Sequence, residues 1–258
     1  MSRLRARCPD CRTLTAVAIG ADYECHSCGR VFHAGLVRVP RAWGNGGEAM
    51  AESASLPLSY PEAGVVDEDT LGLQTLVLAS GLPERPLVLG GCCCAHVGAV
   101  EGLGARVGRL SVVWLDAHGD LNTPETSPSG NEWGMPLRML LDAGAVAARD
   151  VALVGARNLD PPEEAFIAAS GLHVGPAEIE RALAGTDATY VALDVDVLDP
   201  ADIVPWMPEP DGLRLDEAER MLAELAVTAN IAGVGVTGLR PDPANLAPIG
   251  HLLASLRL

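Results

Sequence analysis

Aromatic residues are scarce in this 258-residue sequence: four Trp, three Tyr and two Phe make up 3% of it. A surface that stacks nucleobases needs more rings than that, so the core must come mainly from Ala, Val and Leu. Lysine is absent, all 18 basic residues are Arg, and the 34 acids set against them give a formal net charge of −16. Such a field repels polyanions. No apolar run approaches the ~18 residues that span a bilayer. No secretory signal is expected, because the apolar stretch from Leu14 to Ala21 is short and interrupted by Thr15. What the chain does have is 48% hydrophobic residues and 20% charged ones, with a mean hydropathy of +0.21. That suffices to bury a sizeable core and excludes a disordered polymer.

Charge divides the chain. Residues 1–41 hold seven Arg against Asp10, Asp22 and Glu24, a local charge of +4, and the remainder carries −20. The Gly-rich Trp43-Gly44-Asn45-Gly46-Gly47 beside that break reads as a joint. A small basic module over 1–41 and one large acidic domain over 42–258 are therefore expected.

Cys8-Pro9-Asp10-Cys11 and Cys25-His26-Ser27-Cys28 are two C-x-x-C knuckles, whose four thiolates can close a tetrahedron around one zinc ion. With the strand-like alternation of Thr13 to Ala18 and Arg30 to Phe32, the module resembles a zinc ribbon. Structural Zn²⁺ at Cys8, Cys11, Cys25 and Cys28 is the expectation, with a redox pair or a chance pattern as alternatives. So small a module cannot fold on a hydrophobic core alone, and metal binding would supply much of its folding free energy. Its role is read as packing or assembly. The +4 charge permits nucleic acid, but the −20 of the attached domain and the lack of rings beyond Tyr23 and Phe32 weigh against that partner. The odd cysteine count, with Cys92, Cys93 and Cys94 adjacent, argues against a secreted disulfide framework, so a reducing cytoplasm is expected.

From residue 85 onward, apolar runs at Pro86 to Leu89, Leu110 to Leu115, Val151 to Val154, Tyr190 to Leu193 and Ile231 to Val236 alternate with helix-like segments. Glu163 to Ser170 and Asp216 to Ala226 are examples, the latter with Leu215, Met221, Leu222 and Leu225 on one side. Strands without polar alternation, separated by helices, predict an α/β domain with a central, mainly parallel sheet buried on both faces. Ligands collect outside the carboxyl ends of such strands. Those positions are heavily charged here: Asp116-Ala117-His118-Gly119-Asp120 follows Leu115, and Asp194-Val195-Asp196 follows Leu193. Four carboxylates and an imidazole abutting buried strands would repel one another without a cation. The donor set suits one or two divalent ions such as Mn²⁺.

These two motifs resemble the arginase and agmatinase (ureohydrolase) family. Asp116 to Asp120 is similar to its D-A-H-x-D motif, Asp194 to Pro200 to its D-V-D-x-L-D-P motif, and Leu89-Gly90-Gly91 to the opening of its G-G-D-H-S motif. The resemblance runs from about residue 85 to the C-terminus and leaves out the ribbon. It implies a three-layer α/β/α fold, a binuclear manganese site, hydrolysis of a guanidino-type C–N bond, and homo-oligomers, commonly trimers or hexamers. Asn122 to Asn131, with Ser127 and Ser129, resembles the arginase loop that holds the α-carboxylate and α-amino group of an amino acid. Gly155 to Glu163 resembles the stretch whose second Asp, here Asp160, contacts the α-amino group. The implied metal ligands are Asp116, His118, Asp120, Asp194 and Asp196 with Cys93, and the implied substrate-binding residues are Asn122, Ser127, Ser129, Asn131, Asp160 and Glu163. Asp120 is the expected catalytic residue, orienting a water that the metal activates.

Three positions depart from the family pattern. Cys93 stands where the family has a metal-binding His. A thiolate is softer than imidazole, and His96, three residues on, is an alternative ligand by helical spacing, as is no ligand at all. Trp133 replaces a His that shuttles protons, and indole cannot do that work near neutral pH. Gly238 replaces a Glu that pairs with the substrate guanidinium. The amino-acid end of the expected pocket is retained while the guanidinium end is remodelled. That pattern argues against plain arginase activity and is compatible with hydrolysis of a guanidino amino acid with an altered tail, for example an N-hydroxyguanidine. The alternative is a catalytically degenerate metal-binding or assembly protein on the same fold.

Overall fold

The computed structural model describes residues 5–258, so the first four residues of the expected ribbon lie outside the described residues. Strands β1 (Arg5–Ala6), β2 (Ala16–Ile19), β3 (Asp22–Cys25) and β4 (Val31–Phe32) form an antiparallel sheet in that order. Its buried residues, among them Ala6, Ala16, Tyr23 and Phe32, run on into the core of the large domain.

The small sheet ends at Phe32, because the next strand, β5 (Gly35–Val39), pairs within the large sheet. The expected boundary near residue 41 is thereby corrected. Charge misled it: Arg38 looks like a ribbon residue, but its guanidinium donates to Glu62 at 2.9 Å and to the Leu56 carbonyl at 2.9 Å, and is thus neutralised inside the large domain. Leu36, Val37 and Val39 are buried beside it.

The large domain continues with β6 (Glu62–Val65), α1 (Leu71–Gly81), β7 (Pro86–Gly90), α2 (Ala95–Gly104), β8 (Leu110–Leu115), α3 (Pro136–Asp142) and β9 (Val151–Val154). It ends with α4 (Pro161–Ser170), β10 (His173–Val174), α5 (Ile179–Leu183), β11 (Ala188–Asp194), α6 (Leu215–Thr228), β12 (Ile231–Thr237) and α7 (Leu246–Ser255). Eight strands pair in the order β10-β9-β8-β11-β12-β7-β5-β6, all parallel. The edge strand β6 meets the ribbon through an Arg7–Glu62 bridge, so the ribbon covers an edge that would otherwise present unpaired backbone groups.

Side chains on a strand alternate between faces, and the two faces here feed two cores. Val88, Val112, Trp114 and Tyr190 pack with Leu78, Val100, Leu137 and Leu140 of α1, α2 and α3. Leu87, Val113, Leu115 and Val191 pack with Ile179, Leu222, Leu225 and Leu252 of α5, α6 and α7. The result is the expected three-layer α/β/α arrangement. Among the described residues, no helix is long and apolar enough to cross a membrane.

Candidate functional site

The carboxyl ends of the adjacent strands β9, β8, β11, β12 and β7 deliver most of the expected residues to one place. Two groups of ligand atoms converge there, Cys93 with Asp116 and Asp120, and Asp116 with His118 and Asp196, the atoms of each group lying within 4.8 Å of one another. Asp116 belongs to both. Its Oδ2 accepts from Trp114 Nε1 at 3.2 Å and its Oδ1 from the His118 amide at 2.7 Å, which fixes the carboxylate between the groups. His118 Nδ1 lies 3.1 Å from Asp196 Oδ2 and 3.3 Å from Asp116 Oδ1. Asp194 stands beside these groups: its Oδ2 accepts from Cys93 Sγ at 2.8 Å and from Thr237 Oγ1 at 3.1 Å.

The electrostatics of this cluster call for a cation. Asp116, Asp120, Asp194 and Asp196 are each at most 5% exposed. Burial, with repulsion from Asp196, pushes Asp194 up to about 7, and burial with repulsion from Asp116 pushes Asp196 up to about 6. Burial opposes protonation of His118, but Asp116 and Asp196 outweigh it and raise the imidazole to about 12. Burial and then the Asp194, Asp120 and Asp116 charges push the Cys93 thiol up. Asp120 Oδ2 is buried with no hydrogen-bond partner, an arrangement that costs free energy unless something else binds the oxygen. Asp120 also adopts a left-handed backbone (φ 53°), strain of the kind found at functional sites. An oxygen-rich set with one imidazole and one thiol fits divalent cations of intermediate hardness.

His96 does not join the cluster. It is fully buried in the first turn of α2, with Nδ1 3.0 Å from Tyr190 Oη and Nε2 3.2 Å from Thr237 Oγ1, so both ring nitrogens are engaged away from the carboxylates. Burial lowers it from 6.5 to about 3. Between those values the unfolded chain takes up a proton that the folded chain refuses, so His96 contributes stability above pH 6.5 that is lost as the pH falls. The slope from this one group is up to about 1.4 kcal/mol per pH unit. Urea unfolding from pH 7 to about pH 4.5 should show a steeper acid loss for the wild type than for His96→Gln. Equal slopes would contradict the assignment.

Above the carboxylates opens a cavity of about 280 Å³, lined among others by Asn122, Ser127, Ser129, Asp160 and Glu163. Asn122 Nδ2 donates to Asp160 Oδ2 at 2.8 Å, and Thr126 Oγ1 donates to Asn122 Oδ1 at 2.9 Å. Glu163 accepts from the Leu121 and Asp160 amides, both at 2.9 Å, which ties the turn after Asp120 to the start of α4. Asn131 departs from expectation: its Oδ1 accepts from the Asn45 amide at 2.8 Å and the residue is not in the cavity wall.

The other wall is apolar. Trp133, Met50, Met207 and Cys92 line it. The Trp133 amide donates to the Trp43 carbonyl at 3.1 Å, and a Cβ at Gly44 would overlap the Trp133 ring. The Gly-rich stretch that reads as a joint is therefore the seat of this indole. Gly238 has a left-handed backbone (φ 72°), and a Cβ there would overlap Asp194 Oδ1. A side chain at that position would have to displace the Asp194 carboxylate. Three residues at or beside the cavity carried no signal in the sequence: Met50, Met207 and Glu209, the last 3.5 Å from His118 Nε2.

In the ribbon, Cys8, Cys11, Cys25 and Cys28 converge within the same 4.8 Å, with Cys8 and Cys28 sulfurs 3.8 Å apart and those of Cys11 and Cys25 3.5 Å apart. A hydrogen bond with Thr15 lowers Cys25 to about 5, whereas Cys28, despite a backbone hydrogen bond at Arg30, is raised to about 12 by desolvation and the neighbouring sulfurs.

Residues 62–254 match the model of the Arginase family. An arginase of Bacillus caldovelox is 36% identical over 199 residues, covering 65% of this chain and 66% of that enzyme. An arginase of Bacillus subtilis is 39% identical over 142 residues, covering 45% and 48%. The sequence matches thus span less than two-thirds of either relative's length. An arginase crystal structure from Bacillus cereus superimposes with a TM-score of 0.71 at 26% identity, covering 86% of this chain and 97% of that one. The proclavaminate amidino hydrolase of Streptomyces clavuligerus shares the fold at a TM-score of 0.65 and 22% identity, covering 86% and 88%. A family model that takes in most of the chain, on a sheet whose strand ends gather the expected carboxylates, leads to one conclusion: the chain belongs to the arginase family.

Proposed function

We propose that the chain is a manganese-dependent hydrolase of a linear C–N bond in a guanidino or modified-guanidino amino acid, N-hydroxyguanidino included, releasing urea or a urea derivative. The observation that carries this reading is the pair of ligand groups sharing Asp116 at the floor of the cavity, with Asp120 Oδ2 buried and unpartnered among them. Cys93, Asp116, His118, Asp120, Asp194 and Asp196 hold one or two Mn²⁺ in this reading. Bound there, the cations supply Lewis acidity and a water made nucleophilic at neutral pH. Asp120 Oδ2, buried and without a partner in the protein, would be the group to accept a hydrogen bond from such a water and orient it. Asn122, Ser127, Ser129 and Asp160 hold the amino-acid head, converting binding energy into position, while Glu163 keeps the turn after Asp120 in register.

Trp133 has no proton to give near neutral pH, and Gly238 offers no carboxylate to a guanidinium. A tail that is less cationic and leaves with less protonation suits such a wall. The same two residues favour a second reading, a metal-binding or assembly protein that does no chemistry. In both readings the ribbon holds one structural zinc and packs on the sheet edge, and the chain assembles as a homo-oligomer, a trimer or hexamer, without membrane or nucleic-acid partners.

The test is kcat/KM of the manganese-loaded protein for L-arginine and Nω-hydroxy-L-arginine. The expected preference for the hydroxylated substrate is about 10-fold or more, the ratio that ~1.4 kcal/mol of transition-state discrimination gives. A loaded protein that turns over neither contradicts the hydrolase reading and supports the second one.

A further inference from the structure

We propose that Glu209 is a positioning residue that orients His118 and thereby sets the affinity for the cation shared by Asp116, His118 and Asp196. The inference rests on the metal reading above. His118 turns Nδ1 toward Asp116 and Asp196, and its other nitrogen, Nε2, lies 3.5 Å from Glu209 Oε1. An imidazole that gives Nδ1 to a cation carries its proton on Nε2. The Glu209 carboxylate is the acidic group nearest that nitrogen, at ion-pair distance, and a carboxylate partner on the non-ligating nitrogen fixes ring orientation and raises ligand basicity in metal sites. Among the described residues, His118 is the one basic side chain within ion-pair distance of this carboxylate.

Glu209 is held there by its neighbours. Asn158 Nδ2 donates to the same Oε1 at 2.9 Å. The Arg157 guanidinium grips the backbone on either side of the peptide bond, donating to the Glu209 carbonyl at 3.0 Å and the Pro210 carbonyl at 2.8 Å. It also donates to the Asp196 carbonyl at 2.7 Å, tying the Glu209 loop to the end of β11. The Arg157 and Asn158 amides both donate to the Ala117 carbonyl, at 2.8 and 3.0 Å, and so brace the turn that carries His118. Pro208 and Pro210 restrict the loop backbone further. The three segments that bring Asp196, His118 and Glu209 together are thus joined through two consecutive residues after β9.

The experiment is a calorimetric Mn²⁺ titration of the full chain, its ribbon zinc retained and its large-domain site emptied by dialysis. Wild type, Glu209→Ala, Glu209→Gln and the exposed control Glu180→Ala are compared, with thermal unfolding of each before metal is added. Glu209→Ala is expected to weaken one of the two manganese ions by roughly 10–100-fold, leaving the other ion and the metal-free melting temperature unchanged. Glu209→Gln, which keeps an oxygen for the Nε2 proton, should recover most of the loss, and Glu180→Ala should match wild type. Wild-type affinity for both ions in Glu209→Ala overturns the inference alone, as does an equal weakening of both ions. A wild-type chain that takes up no manganese overturns the metal reading and the inference with it.

Discussion

Asp120→Asn is expected to lower kcat by about 10²–10⁴-fold, the range associated with a positioned acid or base, with the melting temperature of the metal-free chain unchanged or raised. The substitution is close to isosteric and spares the backbone, because asparagine tolerates the left-handed conformation (φ 53°) that Asp120 adopts. What it removes is one of the four buried Asp carboxylates of the strand-end cluster, and the one whose Oδ2 has no partner within the protein. Burial first, and then the Asp116 charge, push Asp120 well above the ordinary carboxylate range. Neutralising it relieves repulsion in the metal-free state, so lost activity with retained stability would separate chemistry from folding. Steady-state kinetics beside thermal unfolding makes the comparison, and an unaffected rate would remove Asp120 from the mechanism.

Gly238→Glu restores the acid that the family places at this position, and it is expected to damage the site rather than create an arginase. A Cβ at residue 238 overlaps Asp194 Oδ1. Asp194 cannot yield easily, since Cys93 and Thr237 hold its other oxygen. The left-handed backbone at 238 adds about 1–2 kcal/mol for any L side chain. A loss of stability of at least that size, with manganese binding abolished, is the expected result, and Gly238→Ala should reproduce it in milder form. Gain of L-arginine hydrolysis in Gly238→Glu, with wild-type stability, would show that the missing carboxylate alone separates this chain from an arginase. The remodelled tail end would then be a matter of one residue and not of the whole wall built from Trp133, Met50 and Met207.

Elements buried on both faces were the most legible. Leu110–Leu115 and Val151–Val154 stand where the apolar runs place them, because residues facing the two helix layers are equally apolar and leave no ambiguity. β5 was hidden by Arg38, whose charge is cancelled only by Glu62 and by carbonyls far along the chain. β6 was hidden by lying at the edge, where Ala63 is its one buried residue. The site shows the same division. Asp116, His118, Asp120, Asp194 and Asp196 were legible because each set is local in sequence and abuts a strand. Helical spacing alone left His96 open as an alternative ligand, and only the start of α2 at Ala95 turns that ring toward Tyr190 and Thr237. Met50 reaches the cavity only through a tertiary clasp, in which Ser53 bonds the Leu239 carbonyl and receives the Trp206 indole proton. No local pattern encodes such a clasp.

The proposed chemistry depends on divalent cations held in the large domain, separate from any zinc on the four ribbon thiols. Elemental analysis of the full chain, expressed with zinc and manganese both supplied and then dialysed, tests for them directly. About one zinc and two manganese ions per chain are expected, in keeping with two ligand groups that share Asp116 and a separate four-thiol site. One zinc per chain with no manganese retained would contradict the account, leaving the ribbon as the one tight metal site and the buried carboxylates without the partner on which the proposed chemistry depends.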